Sequence, residues 1–217
     1  MSDSQQLLTA LTTEHFTLQG ARQQTMSESS ARASLYIIAV SSALVALGFI
    51  GQLSDVGDVF NVFALTVLPT LYVLGSVTFV RLVECGAEDF RYGMAINRIR
   101  GYYQEIAGDR ANLFLLSGHD DGAGVFLNMG IPPEGRKPYF AFSTAVAVIN
   151  GVVGGAAVAI AVGAIFDAGL AVSATAGAVA AILSVAGWIG AADRLLDVRA
   201  AEVEPLFPTP GWGDRAS

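Results

Sequence analysis

The chain has 217 residues, 53% of them hydrophobic and only 14% charged, with a mean hydropathy of +0.54 that soluble domains seldom reach. Nineteen acidic against twelve basic residues leave a net charge of −7, which argues against nucleic acid as a partner. The single cysteine, Cys85, excludes an intramolecular disulfide and reads as a small buried hydrophobe.

Four apolar runs, at 35–53, 59–80, 140–166 and 168–190, contain no Asp, Glu, Lys, Arg or His. A helix crosses roughly 30 Å of hydrocarbon with about 20 apolar residues, so each run suffices. Every Lys and Arg falls in 1–34, in 81–139 or after Gly190, whereas the gaps between paired runs carry only acids: Asp55, Asp58 and Asp167. Basic residues near span ends are retained in the cytoplasm, so both termini are expected inside a cell (inner) membrane. The fold class expected is all-α: an integral membrane four-helix bundle of two helical hairpins with cytoplasmic helical extensions. The segments are a cytoplasmic helix at 1–34, hairpins at 35–82 and 140–190, a cytoplasmic helical segment at 83–139, and a cytoplasmic helix with a Pro-rich tail at 191–217. The polar start lacks the pattern of a cleaved signal peptide, so the first span should stay as an anchor.

In chain order, Leu7, Leu11, His15 and Leu18 gather on one face of a first helix, with Ser4 as its N-cap. Glu14 and His15 point about 100° apart and would not chelate one ion together. The stretch 19–34 should continue as a solvated helix up to the membrane. In the second span Pro69 favours a kink, and Asn61, Tyr72 and Ser76 share its arc. Such a polar stripe either lines a path or bonds between helices. Tyr92, Ile96, Ile99, Tyr103 and Ile106 keep helical spacing beyond the span, which predicts a long helix to about Ala107. That apolar stripe needs cover from the N-terminal helix, the C-terminal helix or another subunit.

The stretch 108–139 should hold two short helices. Asp109 caps the first through Leu116, and Asp120 or Asp121 caps the second through Met129, with Gly130 at its C-terminal end. Both should dock their apolar surfaces on the bundle or the long helix. Pro132 and Pro133 stop the helix, and Arg136 with Lys137 should sit at the headgroups. The third span gathers Ser143, Ala147, Asn150 and Gly154 on one face, and the fourth gathers Ser173, Gly177, Ser184 and Gly187. Gly151 and Gly155 add a G-x-x-x-G spacing. Small faces let backbones approach closely, so these spans should pack against each other. A helix should then run past Arg194, before Pro205, Pro208 and Pro210 impose an extended tail ahead of Trp212.

The cluster most like a reactive centre is His119, Asp120 and Asp121 in the sequence SGHDDG. Three consecutive residues converge on one metal only when a tight turn folds them back, and a helix-capping turn explains the same letters. No phosphate-binding loop, nucleophile elbow, H-E-x-x-H or paired cysteine occurs, and no span holds a charge for a proton relay. No catalytic residue, metal or cofactor is therefore assigned, and the chain is not expected to be an enzyme.

The overall pattern resembles small, uncharacterised multi-span proteins of GC-rich bacteria. Its plan of cytoplasmic helix, membrane hairpin and cytoplasmic helix is similar to the SLATT-type effectors of bacterial conflict systems, with a second hairpin beyond their usual two spans. The resemblance implies hairpins that assemble into pores when a partner signals; it assigns no residue. Two functions follow as expectations. The first is a homo-oligomeric ion channel or pore with a cytoplasmic helical gate, Asn61, Tyr72, Ser76 and Asn150 facing the path, and Asp55, Asp58 and Asp167 concentrating cations at the outer mouth. The alternative is a scaffold or regulator anchored in the lipid bilayer, which meets a cytoplasmic protein partner through its helices and bonds the same polar groups between spans.

Overall fold

A computed structural model describes residues 2–52, 57–130, 141–200 and 204–211, with backbone alone at 141, 193 and 195–200. All regular structure among them is helical: α1 (Asp3–Gly51), α2 (Gly57–Ala107), a 3-10 helix (Gly108–Leu113), α3 (Gly122–Asn128), α4 (Ala141–Phe166) and α5 (Leu170–Ala200). Four of these, α1, α2, α4 and α5, are long and apolar enough to cross a membrane. By length and composition this is a multi-pass membrane protein. The polar N-terminal stretch and the first apolar run form one uninterrupted helix, and α2 runs through Pro69 to end at Ala107.

The chain divides into two compact units. Unit 1 gathers Met1–Glu28, Cys85–Pro138 and Leu196–Ser217; unit 2 gathers Ser29–Glu84 and Tyr139–Leu195.

Unit 2 carries its apolar residues outside. Leu35, Phe49, Val62, Ile165 and Leu170 are 67–87% exposed, while Tyr36, Ser143, Asn150 and Ser173 are buried. Water penalises such a surface and lipid does not, whereas polar groups turned to lipid find no hydrogen-bond partner. The inner face of the helices therefore takes the polar side chains. Close approach sets the α4–α5 contact. A Cβ on Gly155 would lie 2.5 Å from the Gly177 carbonyl oxygen, and one on Gly151 the same distance from Val185 Cγ2. The connection uses Asp167 at φ +49, a left-handed position that Asp tolerates better than most residues. Ala168 and Gly169 complete it, and the Gly169 carbonyl accepts from the Val172 and Ser173 amides.

The small faces divide their work differently from the expectation. Gly154 faces α2 first: a Cβ there would strike the Tyr72 ring at 2.7 Å. Ser143, Ala147, Asn150 and Gly154 form a separate stripe from Gly151 and Gly155, offset by one residue and so by about 100°. Gly187 has open space around it and packs against nothing within 4 Å.

Unit 1 is built by the start of α1, the second half of α2, the 3-10 helix, α3 and 204–211. Arg22 of α1 donates in bidentate fashion to the buried Asp89 of α2, at 2.7 and 3.1 Å. Ile96 and Ile99 are 5% and 6% exposed, so the α2 stripe is covered within the chain there, while Ile106 at its end stays exposed. The stretch after Gly108 departs from the expected α-helix. No side chain caps it, it remains 3-10 to Leu113, and Leu113 and Leu115 are exposed rather than docked. Asp121 caps α3 by accepting from the Gly124 amide at 2.8 Å, and Gly130 takes φ +71 just beyond the helix.

Candidate functional site

Inside unit 2, four helices share one chain of hydrogen bonds. Asn150 on α4 is 0% exposed; its amide oxygen accepts from the Tyr36 hydroxyl of α1 at 3.0 Å, and its NH2 donates to Ser76 Oγ of α2 at 3.2 Å. Ser76 donates in turn to the Tyr72 carbonyl at 2.7 Å, and the Tyr72 hydroxyl pairs with Ser184 of α5 at 2.9 Å. Gly75 leaves the room that Asn150 and Tyr36 occupy, since any side chain there would collide with both. Thus Tyr72, Ser76 and Asn150 meet as one network. Asn61, half-buried near the start of α2, lies outside it. Asp58 is exposed in the first turn of α2, where a carboxylate complements the helix dipole; Asp167 is exposed in the α4–α5 turn. Asp55 lies outside the described residues, as do Arg136, Lys137 and Trp212.

The second constellation is in unit 1, around SGHDDG. Asn97 of α2, 3% exposed, donates to the His119 carbonyl at 2.9 Å, and its oxygen accepts from Arg100 and Asn128. Arg100 and Asn128 also reach the Ser117 carbonyl, at 3.0 and 2.9 Å. This fixes the loop that presents Asp120 and Asp121, and both carboxylates are aimed at the C-terminal segment. Asp120, 0% exposed, accepts the Leu206 amide at 3.0 Å, the Phe207 amide at 2.7 Å and the Arg98 guanidinium. Its own amide donates to the Phe207 carbonyl at 3.2 Å. Arg98 also donates to the Glu204 carbonyl at 2.6 Å. Asp121 accepts both the amide and the hydroxyl of Thr209, the latter at 2.7 Å. Burial opposes the Asp120 charge, but the Phe207 amide, Arg98 and the Leu206 amide together hold its carboxyl below the usual value.

Phe207 lies against bare backbone: a Cβ on Gly101 would come within 2.7 Å of both its ring and the Gly118 carbonyl. Beside it opens a cavity of about 830 Å³, walled by Leu7, Leu11, Tyr92, Ile99, Leu206 and Phe207 and edged by Glu14, Glu88, Arg91 and Arg98. His15 lies elsewhere in unit 1, near Tyr103, and burial followed by the Arg100 charge lowers its pKa. Among the described residues no three His, Cys, Asp or Glu side chains are placed to hold a metal ion.

Residue spacing gave Asp120 or Asp121 as the cap, and Asp121 is the one that caps α3. Spacing gave no sign that 204–211 would return to Asp120, because the bonds run to backbone amides, which every non-proline residue offers. The densely spaced prolines of the tail were the only hint that it would hold one conformation. No known protein family matches this chain, and no curated protein or solved structure does.

Proposed function

We propose that this is a non-enzymatic membrane protein that acts as a membrane-anchored scaffold or regulator, with unit 1 on the cytoplasmic side as its binding part. One observation carries the reading: the three segments outside the apolar runs share a unit with its own polar loop, bound tail and large cavity. The Arg22–Asp89 and Asp120–Phe207 bonds join these segments, which requires them to lie on one side of any bilayer the four helices cross. The basic residues near the span ends support the cytoplasm as that side.

The spans support an anchoring role. Of the polar groups expected to line a path, Tyr72, Ser76 and Asn150 are engaged within one network inside one subunit, as helix–helix bonding requires, and Asn61 alone stands apart from it. A homo-oligomeric channel would need a path lined by other residues. Purified protein in planar bilayers tests the choice, and it should pass no ions across voltage, pH and Ca²⁺. Unitary currents altered by Asn150→Leu would overturn the scaffold reading and restore the channel.

A further inference from the structure

The tail of this chain is bound as a peptide ligand is bound. Residues 204–211 carry no helix, and their contacts to the 117–121 loop are mostly main-chain amides received by two carboxylates. The amides of Leu206, Phe207 and Thr209 are all used. Pro208 lies between them and Pro205 and Pro210 flank them, at positions where no amide is called for. Prolines at those positions fix φ on either side of the bend at Leu206–Phe207 and so hold the segment close to its bound form, and little conformational freedom is lost on binding. Two side chains add selectivity: the Phe207 ring against Gly101, and the Thr209 hydroxyl on Asp121. The receiving surface is fixed independently of the tail. Asp121 also caps α3, and Asn97, Arg100 and Asn128 hold the loop.

We propose that this cleft is a peptide-binding site, occupied in cis by the chain's own tail, whose ligand in trans is a non-helical, proline-flanked aromatic–proline–Thr or Ser segment of a cytoplasmic protein. The tail defines that chemistry, because it shows which amides, ring and hydroxyl the cleft accepts. As a tethered ligand it competes at an effective concentration on the order of millimolar, so a partner displaces it only by binding better or arriving tethered nearby. Displacement would also remove Leu206 and Phe207 from the wall of the neighbouring cavity. The tail is thus both a lock and a model of its key. The proposal rests on reading unit 1 as the binding part; a peptide assay reports on the cleft and bilayer currents on the spans, so each can fail alone.

The test uses full-length protein in nanodiscs and a fluorescent peptide of sequence EPLFPTPG, residues 204–211. A full-length variant carrying Leu206→Pro, Phe207→Pro and Thr209→Pro loses the three donating amides together with the ring and the hydroxyl, so its own tail no longer fills the cleft, and it should bind the peptide roughly tenfold or more tightly than wild type. Adding Asp120→Asn to that variant should abolish binding, and so should alanine in place of the peptide's phenylalanine. In unmodified protein, excess peptide should speed hydrogen exchange at the Leu206 and Phe207 amides, a readout that needs no variant to fold. Absence of binding by the folded variant together with unchanged exchange, or binding indifferent to Asp120→Asn, overturns the proposal. So does a wild-type dimer that dissociates on Phe207→Gly, which would make a second copy's tail the ligand.

Discussion

Asp120, with none of its surface exposed, accepts three charge-assisted hydrogen bonds. A buried carboxylate is costly unless its lone pairs are filled, and here two amides and a guanidinium fill them. Charge-assisted bonds contribute about 1.5–3 kcal/mol each, so Asp120→Asn, which weakens all of them at nearly constant shape, should destabilise unit 1 by about 2–4 kcal/mol. Loss of hydrogen-exchange protection at Leu206 and Phe207 checks it; full protection in the variant would remove the argument. The pH dependence has a definite sign. Because the folded carboxyl is held below the ordinary value, its contribution is complete above about pH 4 and disappears as pH falls through the folded pKa. Tail protection should therefore be flat from pH 8 to about 5 and fail only in stronger acid. His15 acts in another window. Burial, then the Arg100 charge, lowers its pKa below the unfolded value, so the unfolded chain takes up a proton first and stability falls as pH drops through about 6.5. His15→Gln should flatten thermal unfolding between pH 8 and 6, and an unaltered slope would assign that dependence elsewhere.

Among elements, the α4–α5 pair and α2 differ in how far their letters revealed them. The ends of α2 and α3 were readable: helical spacing persisted to Ala107, and Asp121 and Gly130 mark a cap and a stop. The register of the small faces was not, since in a Gly/Ala-rich helix several stripes look alike and only the neighbour chooses among them. Gly155 meets Gly177, whereas Gly154 meets Tyr72, a difference of one residue. Overpacking such contacts commonly costs about 1–3 kcal/mol. Thermal unfolding in detergent should thus place Gly155→Leu and Gly177→Leu well below wild type, with Gly187→Leu near it. Equal tolerance at all three would dissolve the contact. Gly75 and Tyr36 were invisible for the same reason, because their importance comes from Asn150 on a distant helix. The α2 stripe had three possible covers by spacing alone. Ile96 and Ile99 are buried inside one chain, so changing both to Ser should unfold unit 1 by several kcal/mol, as large core truncations do, before it affects any assembly.

For the whole molecule, charge and hydropathy were the most legible features, because a bilayer imposes length and sign rules that a globular core does not. They located four apolar runs and confined the cations to three segments. What they could not convey is that those three segments build one unit, since its contacts join residues far apart in sequence, such as Asp120 and Phe207. The cleft and the 830 Å³ cavity lie within it, and the spans hold their polar groups among themselves. The proposed anchoring requires unit 1 inside and the α4–α5 turn outside. Cysteines introduced singly at Asp109 and Asp167, both exposed, should report it through an impermeant thiol reagent, with unmodified protein and its buried Cys85 as the control. Asp167→Cys should react in intact cells, and Asp109→Cys only in inverted membrane vesicles. Labelling of Asp109→Cys from outside intact cells, or of both positions from the same face, would contradict it.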